Sequence, residues 1–231
     1  MTEERRDVEA ERKAREARGR PFKVELPGEA LLKIQAGVVR STYKGVKFMK
    51  NPFDRVMYLE LIEALKPATI IECGSFHGGS ALWFKDQCAS LGLDTQILCL
   101  DIVKPRIPDT DGITFFEVDI LKADETFPHE VLAQAPHPWI VIEDSAHMYD
   151  TTIASLTYFA DLLEVSDYMV VEDGNVADFP ALKFRKFDDG PNRATQEFLE
   201  ARPEYEIDAD LCDRFGHNLT YCPNGWMRKV R

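Results

Sequence analysis

No stretch of the 231 residues stays apolar for the ~18–20 positions that a membrane-crossing helix needs, and the opening MTEERRDVEAERKAREARGR lacks the apolar core of a secretory signal. A soluble, cytoplasmic protein is expected. The sequence has no C-x-x-C pair, and its five cysteines (Cys73, Cys88, Cys99, Cys212, Cys222) are odd in number, which argues against a disulfide framework and the common zinc and redox motifs. Cys212, His217 and Cys222 match no usual zinc spacing and read as core thiols around a turn. Glycine and proline, 13 of each, are too few for a collagenous or low-complexity chain. Positive charge is also short: 28 Lys and Arg face 40 Asp and Glu, a net charge of −12, which disfavours nucleic acid and anionic membranes as partners.

What is present is a long alternation of short apolar runs and helical patterns. The runs are TIIECG (69–74), QILCLD (96–101), ITFFEVD (113–119), WIVIED (139–144) and YMVVED (168–173), each with an acid at or near its end. Runs of this kind separated by helices predict β-α units and a parallel sheet. Asn51 and Pro52 predict a helix start, with Phe53, Met57, Leu61 and Leu65 on one face and Pro67 marking the stop. Asp150 is expected to cap a helix carrying Ile153, Leu156, Phe159 and Leu163. YEIDADLC and LTYCPNGWMRKV, separated by DRFGHN, predict a closing antiparallel pair. The expected fold is therefore α/β, a doubly wound, mostly parallel sheet of seven strands ending in an antiparallel hairpin. Residues 1–50 are expected to form a charged helical arm and a lead-in to substrate or oligomer contacts, and residues 51–231 the catalytic domain.

Ligands of such sheets bind beyond the carboxyl ends of the strands, where the acids collect. The turn Glu72-Cys73-Gly74-Ser75-Phe76-His77-Gly78-Gly79-Ser80 follows the first strand and opens a helix. It lacks the G-x-G-x-x-G spacing of a pyrophosphate cradle, and its short glycine turn suits S-adenosylmethionine (SAM), the alternative being an ordinary structural loop. Asp101 is the candidate for the ribose hydroxyls and Asp119 for the adenine amino group. Asp144, Glu172 and Asp173 end two strands that are expected to be neighbours; like charges that close call for a cation, against the alternative of three solvated acids. All-oxygen ligands select a hard ion, Mg²⁺ first, with Mn²⁺ or Ca²⁺ as alternatives. Glu143 should point to the opposite side of its strand from Asp144. His147, three residues past Asp144, is the candidate general base, with loop stabilisation as its alternative role. Acceptor choice is assigned to residues 1–50, especially Tyr43, Lys44 and Lys50, and to the loop 176–191.

IIECGSFHGGSAL, VIEDSAH, VVEDG and the lead-in TYKGVKFMKNPFD resemble the cephalosporin-hydroxylase-like family, which includes metal-dependent macrolide-sugar and rhamnosyl O-methyltransferases. The resemblance runs from about Thr42 to Gly174, with a looser echo in CPNGWMRKV. It implies the class I methyltransferase fold, SAM and Mg²⁺, with Asp144, Glu172 and Asp173 as metal ligands and His147 as base. It also carries Glu72, Gly74, Gly78 and Ser80 over as the SAM turn and Asp101 as the ribose acid, and it implies a homo-oligomer. The implied activity is methylation of a hydroxyl, one of a vicinal pair, on a sugar or polyhydroxylated natural product. Catechol-type methyltransferases are similar in ligand separation but carry Asp-Asn where this chain has Glu172-Asp173 and lysine where it has His147. A catechol-type enzyme, an oxidoreductase of the cephalosporin-hydroxylase kind and a non-catalytic SAM binder remain the rivals.

Overall fold

The five apolar runs form parallel strands, and the last three stop one or two residues before Asp119, Asp144 and Glu172. In the computed structural model, residues 19–105, 107 and 110–231 are described. Most of the charged arm, residues 1–18, lies outside them. The chain enters through α1 (Gly28–Val38) and a small ladder, β1 (Thr42–Tyr43) with β2 (Val46–Lys47), then forms α2 (Pro52–Leu65), β3 (Thr69–Cys73), α3 (Gly79–Ser90), β4 (Gln96–Asp101) and β5 (Ile113–Glu117). Two short helices, α4 (Ala123–Thr126) and α5 (His129–Gln134), lead to β6 (Trp139–Glu143), α6 (Tyr149–Ala160) and β7 (Tyr168–Val171). The remainder is α7 (Gly190–Ala201), β8 (Tyr205–Ile207), α8 (Ala209–Cys212) and β9 (Trp226–Lys229).

The seven-stranded sheet has the order β5-β4-β3-β6-β7-β9-β8, with β9 antiparallel to both neighbours. From β3 the chain winds outward through β4 and β5, then returns to the other side of β3 as β6. The switch point therefore falls between the carboxyl ends of β3 and β6, at Gly74 and Asp144.

Strand side chains alternate between two apolar layers. Ile70, Ile97, Ile140, Ile142 and Val170 pack with Met57, Tyr58 and Ile62 of α2 and Trp83 and Phe84 of α3. Ile71, Leu98, Val141 and Met169 pack on the other face with Leu156 and Phe159 of α6 and Phe198 of α7. All five cysteines are free and buried. Helix α2 begins as its sequence implies: Asn51 accepts from the Phe53 N–H at 2.7 Å, and Pro52 takes the first position, where no donor is needed. It stops at Leu65, with Lys66 left-handed at φ 52° ahead of Pro67.

Three expectations are corrected. Asp150 is not a cap: α6 starts at Tyr149, with Met148 in the capping position and Asp150 in the first turn, where its charge still favours the helix dipole. YEIDADLC is a strand only to Ile207, because the Asp208 carboxylate accepts from the Leu211 N–H and bends the chain into α8. LTYCPNGWMRKV is a strand only from Trp226; before it, side chains satisfy the backbone, Asp54 accepting from the Tyr221 N–H and Asn218 from the Asn224 N–H. The last two strands pair as expected, but through an 18-residue connection (208–225) rather than a tight turn.

Candidate active site

The closest backbone approach at the switch point depends on Gly74. Its φ is +92°, and a Cβ there would lie 2.0 Å from the Asp144 carbonyl oxygen. The absence of a side chain lets the Gly74 N–H reach Leu100 O at 2.7 Å and the Asp144 N–H reach Cys73 O at 2.8 Å, so three adjacent strand ends are tied together. Directly above them opens a cavity of about 610 Å³.

Asp101 and Asp119, beyond β4 and β5, line this cavity on one side of Gly74, and Asp144, His147 and Asp173, beyond β6 and β7, line it on the other. Asp101 accepts from the Phe76 N–H at 2.7 Å and the Val103 N–H at 3.1 Å. Asp119 accepts from the Leu121 N–H at 3.0 Å. A carboxylate has about four acceptor positions, so both acids keep capacity for a ligand. Gly78, at φ +81°, opens α3, and Ser75 is buried with no hydrogen-bond partner for its hydroxyl among the described residues. Glu72 and Ser80 bond each other at 2.7 Å beneath the turn and do not line the cavity.

On the other side, Asp144, His147 and Asp173 each offer a ligand atom within 4.8 Å of the others, the group of this kind found among the described residues. His147 Nε2 is 3.3 Å from Asp173 Oδ2, and its Nδ1 is 4.0 Å from Asp144 Oδ1. Both His147 and Asp173 have left-handed backbones, φ 58° and 55°, strain that points their side chains at each other across the β6 and β7 ends. Glu172 lies behind them: its Oε1 accepts from the Tyr58 hydroxyl at 2.6 Å and pairs with Lys50, and it does not line the cavity. Glu143 faces the other way, as alternation predicts, and accepts from the Ser145 hydroxyl.

Burial pushes Asp144 up to about 6 against the pull of Lys50, and raises Asp173 and Glu172 as well. Burial taken alone would lower the His147 pKa, but Asp173 and Asp144 outweigh it and the net direction is upward. The cluster has more negative charge than it can hold comfortably, and its donor set of carboxylates beside an imidazole fits a hard divalent ion.

Of the segments assigned to acceptor choice, residues 1–50 reach the cavity through Gln35 and Met49, and the loop 176–191 through Lys186 and Phe187. Tyr43 and Lys44 instead pair with Asp86, at 2.7 and 2.6 Å, on the side of the sheet that carries α3. Lys50 is 2 % exposed, inside the carboxylate cluster. Sequence reasoning missed this position and that of Tyr58. A lysine set among Phe48, Met49 and the helix start at Asn51 was the available signal.

Sheet order, the reversed strand β9 and a cavity over the switch point define a class I methyltransferase. Within that class, the chain belongs to the family described as Rhamnosyl O-methyltransferase/CmcI, whose model matches residues 36–230. A rhamnosyl O-methyltransferase of Mycobacterium tuberculosis (strain ATCC 25618 / H37Rv) is 29% identical over 196 residues, 81% of this chain and 78% of that protein. A solved structure of CmcI with Mg and SAM superposes with a TM-score of 0.65 at 25% identity, covering 100% of this chain and 88% of the other. MycE, a methyltransferase from the mycinamycin biosynthetic pathway solved with Mg and SAH, shares the fold at a TM-score of 0.50 and 19% identity, covering 63% of this chain and 39% of its own. Among the described residues, no helix is long and apolar enough to cross a membrane.

Proposed function

We propose that this chain is a SAM- and Mg²⁺-dependent O-methyltransferase acting on a hydroxyl of a sugar or polyhydroxylated natural product, one of a vicinal pair. The observation that carries this reading is a single cavity with Asp101 and Asp119 on one side of Gly74 and Asp144, His147 and Asp173 on the other. SAM fits the first side: Gly74 permits close approach, the Ser75 hydroxyl is unpartnered, and both acids have free acceptor positions. Relatives support the cofactor pair, since CmcI was solved with Mg and SAM. The rhamnosyl name of the curated relatives supports a sugar hydroxyl.

When bound, the divalent ion would lower the pKa of a coordinated hydroxyl and SAM would supply the methyl group. Asp144 and Asp173 would hold the ion from the cavity side, with Glu172 behind them as the third ligand. His147 would take the proton of the acceptor hydroxyl, with Asp173, 3.3 Å from Nε2, orienting the ring and favouring its protonated form. The β3 turn and Asp101 would fix the other reactant, so that much of the acceleration comes from holding two reactants in line.

The test is release of S-adenosylhomocysteine with SAM, Mg²⁺ and a panel of glycosylated and catechol acceptors. Asp144→Ala and His147→Ala should each lose turnover while SAM binding, read by calorimetry, stays near that of the parent. An active Asp144→Ala variant in chelator-treated buffer would rule out the metal assignment, and heat on titrating NADH instead of SAM would favour the oxidoreductase.

A further inference from the structure

Lys50 Nζ lies 2.7 Å from Asp144 Oδ2, 2.7 Å from Glu172 Oε1 and 3.0 Å from Glu72 Oε1. The three acids come from the ends of three adjacent strands, β6, β7 and β3, and Glu72 shares a sheet face with Ile70, Asp144 with Ile142 and Glu172 with Val170. That is the face covered by α2, which starts two residues after Lys50. An ammonium has three donors, and here three carboxylates are within reach of it. The side chain is 2 % exposed and does not line the cavity, so it meets neither cofactor nor acceptor. Its contacts join the glutamate under the proposed SAM turn to two proposed metal ligands.

From this geometry we infer that Lys50 is an internal counter-cation, a positioning residue that holds Glu72, Asp144 and Glu172 in place when no divalent ion is bound. Three carboxylates this close, Glu72 and Glu172 among them buried, would repel one another and spread without it, and the strand ends that carry them would separate. With Lys50 present, the active edge can form before metal arrives, and the ion meets ligands already in position. Only the cavity-facing side of the cluster then depends on the ion. The inference rests on the metal reading above through Asp144 and Glu172.

The experiment is thermal melting of the full chain and of Lys50→Met, each in EDTA and in excess MgCl₂. Removing one partner of a buried ionic group in a chain of this length should lower Tm by about 6–20 °C in EDTA. Mg²⁺ should recover part of that loss, so that its stabilising shift is at least about twice as large in the variant as in the parent. Lys50→Arg, which keeps the charge, should need Mg²⁺ less than Lys50→Met does. Should Lys50→Met not fold in EDTA, Glu72→Gln in the same chain removes one repelling charge and should restore a folded, Mg²⁺-responsive protein; failure of that double variant overturns the inference. Equal, measurable Mg²⁺ shifts in parent and Lys50→Met also overturn it, and leave the metal reading standing. No Mg²⁺ shift in either protein removes both.

Discussion

Gly74→Ala tests whether the switch point is as tight as its geometry implies. The new methyl group would fall 2.0 Å from the Asp144 carbonyl oxygen and 2.8 Å from Ser145 Cα, both backbone atoms, so no side chain can swing away to make room. An L-residue in left-handed backbone costs about 1–2 kcal/mol. The ends of β3 and β6 must also part by about 1.4 Å to take that contact from 2.0 Å to an ordinary 3.4 Å, which threatens the Gly74–Leu100 and Asp144–Cys73 hydrogen bonds at about 1 kcal/mol each. A total loss of about 3–4 kcal/mol corresponds to a Tm drop of about 6–16 °C in a domain of this size. SAM affinity should fall further than stability alone accounts for, because the displaced end of β3 carries the proposed SAM turn. Gly37→Ala is the control: it lies in α1 with nothing within 4 Å of the added methyl group and should gain up to about 1 kcal/mol from helix propensity. Differential scanning calorimetry and SAM titration on the two variants decide the matter. A Gly74→Ala protein that melts within about 2 °C of the parent and binds SAM equally well would refute the argument.

Two titrations follow from the same electrostatics. Asp54 is fully buried, and burial pushes it up to about 8 although Thr220 and the Tyr221 N–H pull the other way. Between about pH 4 and pH 8 the folded chain therefore keeps a proton that the unfolded chain has released, and stability declines as pH rises, by at most about 1.4 kcal/mol per pH unit from this group. Asp54→Asn should flatten that slope in urea denaturation measured from pH 5 to 8; an unchanged slope assigns it to other groups. His147 is held above its ordinary value by Asp173 and Asp144 against the lowering effect of burial, so a divalent ion on those acids should lower its pKa. Imidazole NMR titrations in EDTA and in Mg²⁺ that coincide would contradict this.

The strands were legible because parallel strands buried on both faces appear as continuous apolar runs, and the β3, β4 and β6 runs ended within one residue of the strands they predicted. Placing their terminal acids along one edge followed from topology alone. The division of labour among the acids did not. Asp144 lines the cavity and Glu172 does not: Lys50 pairs with both, but Glu172 alone also accepts from Tyr58, and Tyr58 and Lys50 arrive from α2 and its approach, 114 and 122 positions before Glu172 in the chain. Nothing in a local pattern reports an angle between a helix and a sheet edge. The same limit explains β8: a run of alternating polar and apolar residues continued in the sequence past Ile207, but a single carboxylate at Asp208 captured the Leu211 amide and turned the chain.

Charge accounting gives the lysine its place in the chemistry as well as in the fold. Glu72, Asp144, Glu172 and Asp173 bring four negative charges to one edge, and Lys50 neutralises one of them from below. With His147 neutral, the cluster keeps a net of three negative charges; Asp144 and Asp173 line the cavity, and Glu72 and Glu172 lie behind it. Mg²⁺ would offset two of the remaining three charges, while Asp101 and Asp119, which line the same cavity, would face the positively charged SAM. Without the lysine the edge would hold one more uncompensated carboxylate charge, and the more negative field would stabilise the sulfonium against the loss of charge that methyl transfer requires. A buried cation beneath the ligands therefore adjusts the field in the direction that transfer needs, while the acids keep the geometry that binding needs.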